Sequence, residues 1–168
     1  MNSRYQNNGA VRAILDEYKK ALTEFENVIA NLTYKDLIAI VDNKTEDADC
    51  KSIQTILTHV IKAGYCYIIE IRKSQGEQIS FVERETFNTI KQYKAELKKM
   101  FKYTEQLFRD YPSLNLEECD SEKKILVKWG QRYDVEQLLE HAIVHILRHR
   151  RQIEKFLIKL NELPAYNK

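Results

Sequence analysis

Three of the chain's four histidines fall at four-residue intervals in one stretch, at His141, His145 and His149. Residues four apart on an α-helix lie on one face, in consecutive turns. Two imidazoles at this spacing can bind one metal ion between them. The outer two lie about 12 Å apart along the axis, which is too far for both to form metal bonds of ~2.1 Å with one ion. The spacing therefore predicts a metal-binding helix in which one adjacent pair binds, with any third protein ligand from another segment.

The direction of each side chain favours one of the two pairs. A four-residue step rotates by about 40° around the helix. The apolar face of this segment is set by five residues: Leu138, Ala142, Ile153, Phe156 and Leu160. Each histidine of the series turns closer to that face, so His149 should point furthest inward. A buried site favours His145 with His149, and His141 is expected beside the site or facing solvent.

The fourth histidine, His59, lies in a second amphipathic segment. The apolar series of that segment is Ile53, Ile56, Leu57, Val60, Gly64, Tyr67 and Ile71. His59 falls on the flank of this face, so its inward direction is less clear than that of His149. It is a candidate third ligand, and a surface or hydrogen-bonded core histidine is the alternative.

These two histidine segments resemble the DinB family of metalloenzymes. The family's C-terminal signature is a histidine, three residues, a histidine, a basic residue, a small residue, glutamine and isoleucine. Here it reads His145-Ile-Leu-Arg-His149-Arg-Arg-Gln152-Ile153, with Arg151 where the family usually has glycine. The family's isolated histidine in the second long helix is matched by His59. The resemblance covers essentially the whole chain.

The resemblance implies a single all-α domain over residues 1–168, folded as an up-down-down-up four-helix bundle. It implies one divalent metal ion, zinc or nickel, bound by His59, His145 and His149. Because family members include bacillithiol transferases and mycothiol-dependent isomerases, it also implies a thiol-dependent S-transferase, isomerase or hydrolase acting on a small-molecule or thiol substrate. The residues identify no catalytic group. A non-enzymatic helical-bundle binding protein, with a structural or vestigial metal site, is the alternative hypothesis.

Composition agrees with a helical protein. Of the 168 residues, 31% are charged and 43% hydrophobic, with only four glycines and two prolines to interrupt helices. The net charge of +2 indicates no nucleic-acid partner. Because no apolar run approaches ~20 residues and residues 1–8 lack a signal-peptide core, we expect neither membrane insertion nor secretion.

Cysteine and surface patterns predict the compartment and the oligomeric state. Cys50, Cys66 and Cys119 are odd in number and form no pairing pattern, so they are expected to be reduced thiols in the cytoplasm. Apolar and tyrosine positions lie outside the regular stripes, at Ile61, Tyr65 and Ile68. These positions predict a homodimer.

The periodicity predicts four long helices, at about 9–32, 50–73, 80–111 and 134–160. Asn7 or Asn8 is expected to cap the first. Ser80 with Glu83 resembles a capping box for the third, and Asp134 with Gln137 caps the fourth. The acidic run 42–49 is interpreted as a solvated loop, the apolar run 124–130 as an extended segment packed on the bundle, and the tail is expected to begin at Leu163-Pro164.

Other polar and aromatic residues near the histidines can have structural or functional roles. Cys66 is interpreted as a buried apolar residue, since two helical turns separate it from His59. Glu140 could orient a histidine or simply be solvated, and Tyr65 and Tyr67 could line a pocket, donate a proton or pack in the core. Three arginines could attract an anionic substrate or provide charge at a helix end and interhelical ion pairs: Arg148, Arg150 and Arg151.

Overall fold

Four long helices build the fold in the computed structural model, which describes residues 8–162. They are α1 (Gly9–Val28), α3 (Ile53–Ser74), α4 (Ile90–Asp110) and α5 (Val135–Glu162). Shorter elements lie in the connections: α2 (Tyr34–Ile38), a 3-10 helix (Ala48–Cys50), β1 (Ile125–Leu126) and β2 (Arg132–Tyr133). The two strands pair antiparallel. The predicted all-α four-helix bundle is confirmed.

Contacts between helix ends show the directions of the central helices. Near the start of α3, the Thr58 hydroxyl lies 2.8 Å from that of Tyr93 near the start of α4. At the other end, Arg72 forms a 2.6 Å ion pair with Asp110. The two helices are therefore parallel. By contrast, α5 runs antiparallel to α3, because His59 contacts His149 whereas the later Tyr67 contacts the earlier His141. This order requires a connection that travels back along the bundle, as in the up-down-down-up arrangement.

The third long helix begins ten residues later than the sequence predicted. Its N-cap is Thr89, whose hydroxyl accepts from the backbone N–H of Gln92, and Ser80 and Glu83 lie in irregular chain. Tertiary contacts hold the 77–89 connection instead. The Tyr93 hydroxyl accepts from the backbone N–H of Phe87 at 3.2 Å. Because α3 and α4 are parallel, these residues must span the bundle and cannot extend α4.

Local capping determines the starts of α1 and α5 as predicted, whereas α3 begins after Ser52, three residues later than predicted. The Asn8 side chain accepts from the backbone N–H groups of Ala10 and Val11. The Asp134 carboxylate accepts from the backbone N–H of Gln137 at 2.8 Å, so α5 begins at its predicted cap. Residues 1–7 and the predicted tail from Leu163 lie outside the described range.

A hairpin formed by β1 and β2 lies against α3. Its turn closes through a 2.8 Å hydrogen bond from the Gly130 N–H to the Val127 carbonyl. Gly130 has a φ of 86°, a value that favours glycine. The buried carboxylate of Glu70 in α3 accepts from the Lys128 N–H at 3.1 Å. The predicted packing of the 124–130 segment on the bundle is confirmed.

Two of the residues that suggested a homodimer surface lie in the core of the bundle. Ile61 and Ile68 are buried within the monomer, so they do not provide the apolar surface from which a homodimer was predicted. The homodimer itself stays a prediction. None of the helices within residues 8–162 combines the length and the apolar character needed to cross a bilayer.

Candidate metal centre

Three imidazoles meet between α3 and α5. The Nε2 atom of His145 lies 2.9 Å from that of His59 and 3.2 Å from that of His149. One ligand atom from each ring lies within 4.8 Å of the others. His59 comes from the middle of α3, more than eighty residues before the α5 pair. The predicted convergence of these three histidines is confirmed.

The rings of His59 and His149 are each held by a hydrogen bond at Nδ1. His59 Nδ1 lies 3.0 Å from an oxygen of the Asp49 carboxylate. His149 Nδ1 lies 3.0 Å from the Gln152 side-chain oxygen. Both oxygens accept hydrogen bonds, so each Nδ1 carries the proton and each Nε2 presents a lone pair. In this tautomer Nδ1 donates to an acceptor and Nε2 is free to bind, as in histidine ligands that bind a metal through Nε2.

Hydrogen bonds within the triad cannot satisfy the Nε2 atoms of all three histidines. His59 and His149 both direct Nε2 lone pairs at the Nε2 of His145. That atom carries at most one proton, so it can donate to only one of them. One close nitrogen–nitrogen contact is then left without a hydrogen bond. A cation accepts all three lone pairs, so the donor set fits a metal ion.

The separations also fit one ion. Nitrogens bound to zinc at ~2.0–2.1 Å and separated by ~90–110° lie roughly 3 Å apart. The two separations in the triad, 2.9 and 3.2 Å, agree with that value. Three neutral imidazoles leave at least one coordination position for water or substrate.

Burial keeps the α5 histidines neutral. His149 is 5% exposed, and burial followed by the nearby His59 lowers its pKa to about 4. Burial, with the other histidines adding to the effect, also places the pKa of His145 far below its usual 6.5. At pH 7 neither ring holds a second proton that a cation would have to displace.

His141 stays outside the triad, as the helical rotation predicted. Its Nδ1 lies 3.3 Å from the Tyr133 hydroxyl, and its ring packs against Tyr67 and Trp129. Burial lowers its pKa as well. Its ring lines the cleft beside the triad and contributes no ligand atom to the triad itself.

Asp49 and Arg84 are site residues that the sequence did not predict. Asp49 belongs to the acidic run interpreted as a solvated loop, yet its carboxylate contacts both His59 and Arg84, the latter at 2.5 Å. Burial alone would raise the pKa of Asp49, but the hydrogen bond and charge of Arg84, together with His59, hold it below the usual value. No periodicity or motif marks either residue. Glu140 is exposed, which agrees with its interpretation as a solvated residue and not with an orienting role.

A cleft of about 470 Å³ opens beside the triad. His59 and His145 line its floor, whereas the buried His149 lies beneath it. Twelve residues form its surface: Asp49, His59, Lys62, Ala63, Cys66, Tyr67, Arg84, Lys128, Trp129, Gln131, His141 and His145. This volume falls within the range of small-molecule sites.

The remaining candidate residues differ in whether they reach the cleft. Cys66 is buried, as predicted, and reaches the cleft wall without joining the triad. Tyr67 lines the cleft, but the Tyr65 hydroxyl donates to Glu96 on the other side of α3. Arg150 pairs with Glu24 of α1, which is the predicted interhelical role, and also with Glu154 of its own helix. None of the three arginines of this stretch lines the cleft.

Comparison with known proteins agrees with this geometry. The family model described as the DinB family matches residues 5–160, which is nearly the whole chain. No curated protein sequence matches the chain.

Proposed function

The chain belongs to the DinB family, and on that premise we propose that it is a metalloenzyme that transfers a thiol to a small electrophilic molecule. In this proposal His59, His145 and His149 bind one divalent ion, zinc or nickel. One observation carries the proposal: one ring nitrogen from each of the three imidazoles lies within 4.8 Å of the others, and two of these rings line a small-molecule cleft.

The donor set supports the choice of metal. Imidazole suits zinc and nickel among the divalent ions, whereas calcium and magnesium require oxygen ligands. A bound divalent ion would supply Lewis acidity, which lowers the pKa of a thiol or a water molecule and polarises a carbonyl group. The chain's own residues would supply everything else.

The hydrogen bonds around the triad would fix the ligands before substrate arrives. Asp49 holds the His59 ring with its Nε2 toward the centre, and Gln152 does the same for His149. The ion pair with Arg84 restrains Asp49 in turn. The site is therefore preorganised, which limits the reorganisation needed on binding.

The cleft favours transfer of a thiol over hydrolysis. Its one acidic residue, Asp49, is engaged by Arg84 and His59, so no carboxylate of the cleft is available as a general base. Thiol transfer needs less base chemistry: the S–H proton passes to solvent, the sulfur forms a bond to an electrophilic carbon, and the leaving group departs with its electron pair. Tyr67 keeps its proton because burial raises its pKa, so its hydroxyl can donate a hydrogen bond to the substrate.

The proposed enzyme would act in the cytoplasm, where low-molecular-weight thiols are reduced. Its three cysteines are free, which supports that location. The alternative of a non-enzymatic binding protein predicts an ion with no exchangeable ligand and no substrate. The open cleft beside the triad supports the enzyme.

The decisive experiment measures metal and activity together. Protein purified without a histidine tag is analysed for metal content, then assayed for transfer of several thiols to 1-chloro-2,4-dinitrobenzene. His149→Gln is compared with His141→Gln, a matched change two turns away on the same helix. Structural zinc sites bind with about 10–16 kcal/mol for four ligands, so losing one ligand should weaken affinity roughly 10²–10³-fold.

We expect His149→Gln to lose metal and transfer activity and His141→Gln to keep its metal. Equal metal loss in both variants would show that the ligand assignment is wrong. Full metal occupancy with no transfer of any thiol would instead favour the binding protein.

A further inference from the structure

Two lysines of the cleft have no acidic partner. Among residues 8–162, neither Lys62 nor Lys128 lies within ion-pair distance of a carboxylate, whereas the third cation of the cleft, Arg84, is paired with Asp49. Since that pair is close to neutral, the two ammonium groups leave the cleft with a net positive charge. Low-dielectric walls concentrate such a field and attract anions.

The hairpin holds Lys128 in place over the cleft. Its backbone N–H donates to the buried Glu70 carboxylate at 3.1 Å. Its Nζ lies 3.8 Å from Cys66 Sγ and 4.4 Å from the centre of the Phe81 ring. A protonated thiol and an aromatic ring position the ammonium group but do not neutralise it. Burial is the main reason that the pKa of Cys66 is raised, so this sulfur remains a thiol at neutral pH.

Lys62 lies between the triad and Lys128. It follows His59 by three residues on α3 and precedes Cys66 by four, so all three share one helix face. At ~1.5 Å per residue, Lys62 is about 4–5 Å and Cys66 about 10 Å along the axis from the metal-ligand position. The rings of Tyr67, Trp129 and His141 also line the cleft, where they pack against one another. The cleft thus combines nitrogen donors at one end with two cations further along and a cluster of aromatic rings.

We propose that Lys62 and Lys128 form an anion-binding subsite that receives a carboxylate or phosphate group of the proposed enzyme's substrate. The substrate then carries a metal-binding donor at one end and an anionic group some 5–10 Å away. This inference rests on the proposed function only for the end of the substrate that binds the metal. The anionic end depends on the two lysines, so it can be tested without metal.

The test titrates metal-free protein with matched probes, followed by NMR chemical shifts. The probes are 3-mercaptopropionate, its neutral analogue 3-mercaptopropionamide, and inorganic phosphate. Lys62→Gln and Lys128→Gln each remove one positive charge from the cleft. Lys98→Gln, at an exposed position of α4 outside the cleft, removes the same charge elsewhere. Thermal unfolding of each variant checks that the fold is intact.

We expect each cleft variant to weaken binding of 3-mercaptopropionate about tenfold or more, the effect of losing a charged hydrogen bond. Binding of the neutral amide should stay unchanged, and Lys98→Gln should behave like the original protein. Lys128→Arg keeps the charge and should restore binding. Tighter binding of phosphate than of the carboxylate would identify a phosphate ester as the natural group, and the reverse order a carboxylate.

Three results would overturn the subsite: equal affinity for the acid and the amide, equal losses in Lys98→Gln and the cleft variants, or no saturable binding. A separate titration of cobalt-loaded protein tests the donor end through the thiolate-to-cobalt absorption band. If the carboxylate binds through the lysines but no such band forms, the subsite stands and the thiol-transfer function fails. If acid and amide produce the band equally well, the metal site stands and the subsite fails.

Discussion

Replacing Asp49 should weaken metal binding although this residue is not a ligand. Its carboxylate accepts from His59 Nδ1 at 3.0 Å, and so fixes the tautomer and the direction of that ring. Loss of such an orienting group typically costs about 10–100-fold in metal affinity. Asp49→Ala removes the acceptor altogether, so its loss should fall in that range. Asp49→Asn keeps an acceptor oxygen without the charge, and its loss should be about five- to tenfold, since charged hydrogen bonds are roughly twice as strong as neutral ones.

Arg84→Gln provides the matched control for Asp49. It removes the 2.5 Å ion pair and leaves the carboxylate free to accept from His59. Because the Arg84 side chain is 43% exposed, this pair contributes little stability, and the variant should bind metal within about threefold of the original protein.

The assay is competition for zinc against a chromophoric chelator at pH 7.5, with urea unfolding of the metal-free proteins alongside. The expected order of affinity is the original protein, Arg84→Gln, Asp49→Asn and Asp49→Ala. Unchanged affinity in Asp49→Ala would refute the reasoning, because His59 would then need no carboxylate to present its Nε2. An equal loss in Arg84→Gln would show that the ion pair, rather than the histidine contact, controls the site.

Three further predictions concern stability and assembly. The pKa of His149 is lowered from 6.5 to about 4, so the unfolded chain binds this proton at a higher pH than the folded protein does. Through this residue the metal-free protein should therefore lose about 2 kcal/mol of unfolding free energy between pH 7 and pH 5. Urea unfolding of His149→Gln should lack that part of the pH dependence. In Gly64→Ala the new methyl group would overlap the Met100 thioether, which should cost about 1–3 kcal/mol in thermal or urea unfolding; Gly9→Ala, with open space around it, should be neutral, and equal effects in the two variants would contradict the packing argument. The predicted homodimer should show twice the monomer mass in light scattering, and a monomer mass at every concentration would show that prediction to be wrong.

Local sequence rules were sufficient for the helix that carries two of the ligands. The Asp134–Gln137 cap fixes where α5 begins, and 3.6-residue periodicity then decides which face each histidine occupies. That rotation correctly predicted that His149 is the buried member and that His141 stays outside the triad. Both properties depend on neighbours within a few turns, which are visible in a single sequence.

The rest of the site depends on contacts between distant segments. Asp49 and Arg84 come from connections without periodicity, and their pairing is decided by how the 77–89 connection returns along the bundle. The same path explains why Ser80 and Glu83 do not begin a helix despite their spacing. A capping box stabilises a helix end by about 1 kcal/mol, which is too little to oppose the packing of a whole connection.

The contacts of 2.9 and 3.2 Å among three Nε2 atoms favour metal binding but reduce the stability of the metal-free fold. Without a cation the fold must keep lone pairs in contact in a partly buried place, and apolar side chains of similar volume would fill that space at a lower free energy. The bundle therefore tolerates a local loss of stability, which the buried apolar faces of its long helices offset. Evolutionary loss of the cation requirement would remove the deficit, so relatives that abandon the metal should drift toward apolar residues at these three positions and unfold at higher temperatures.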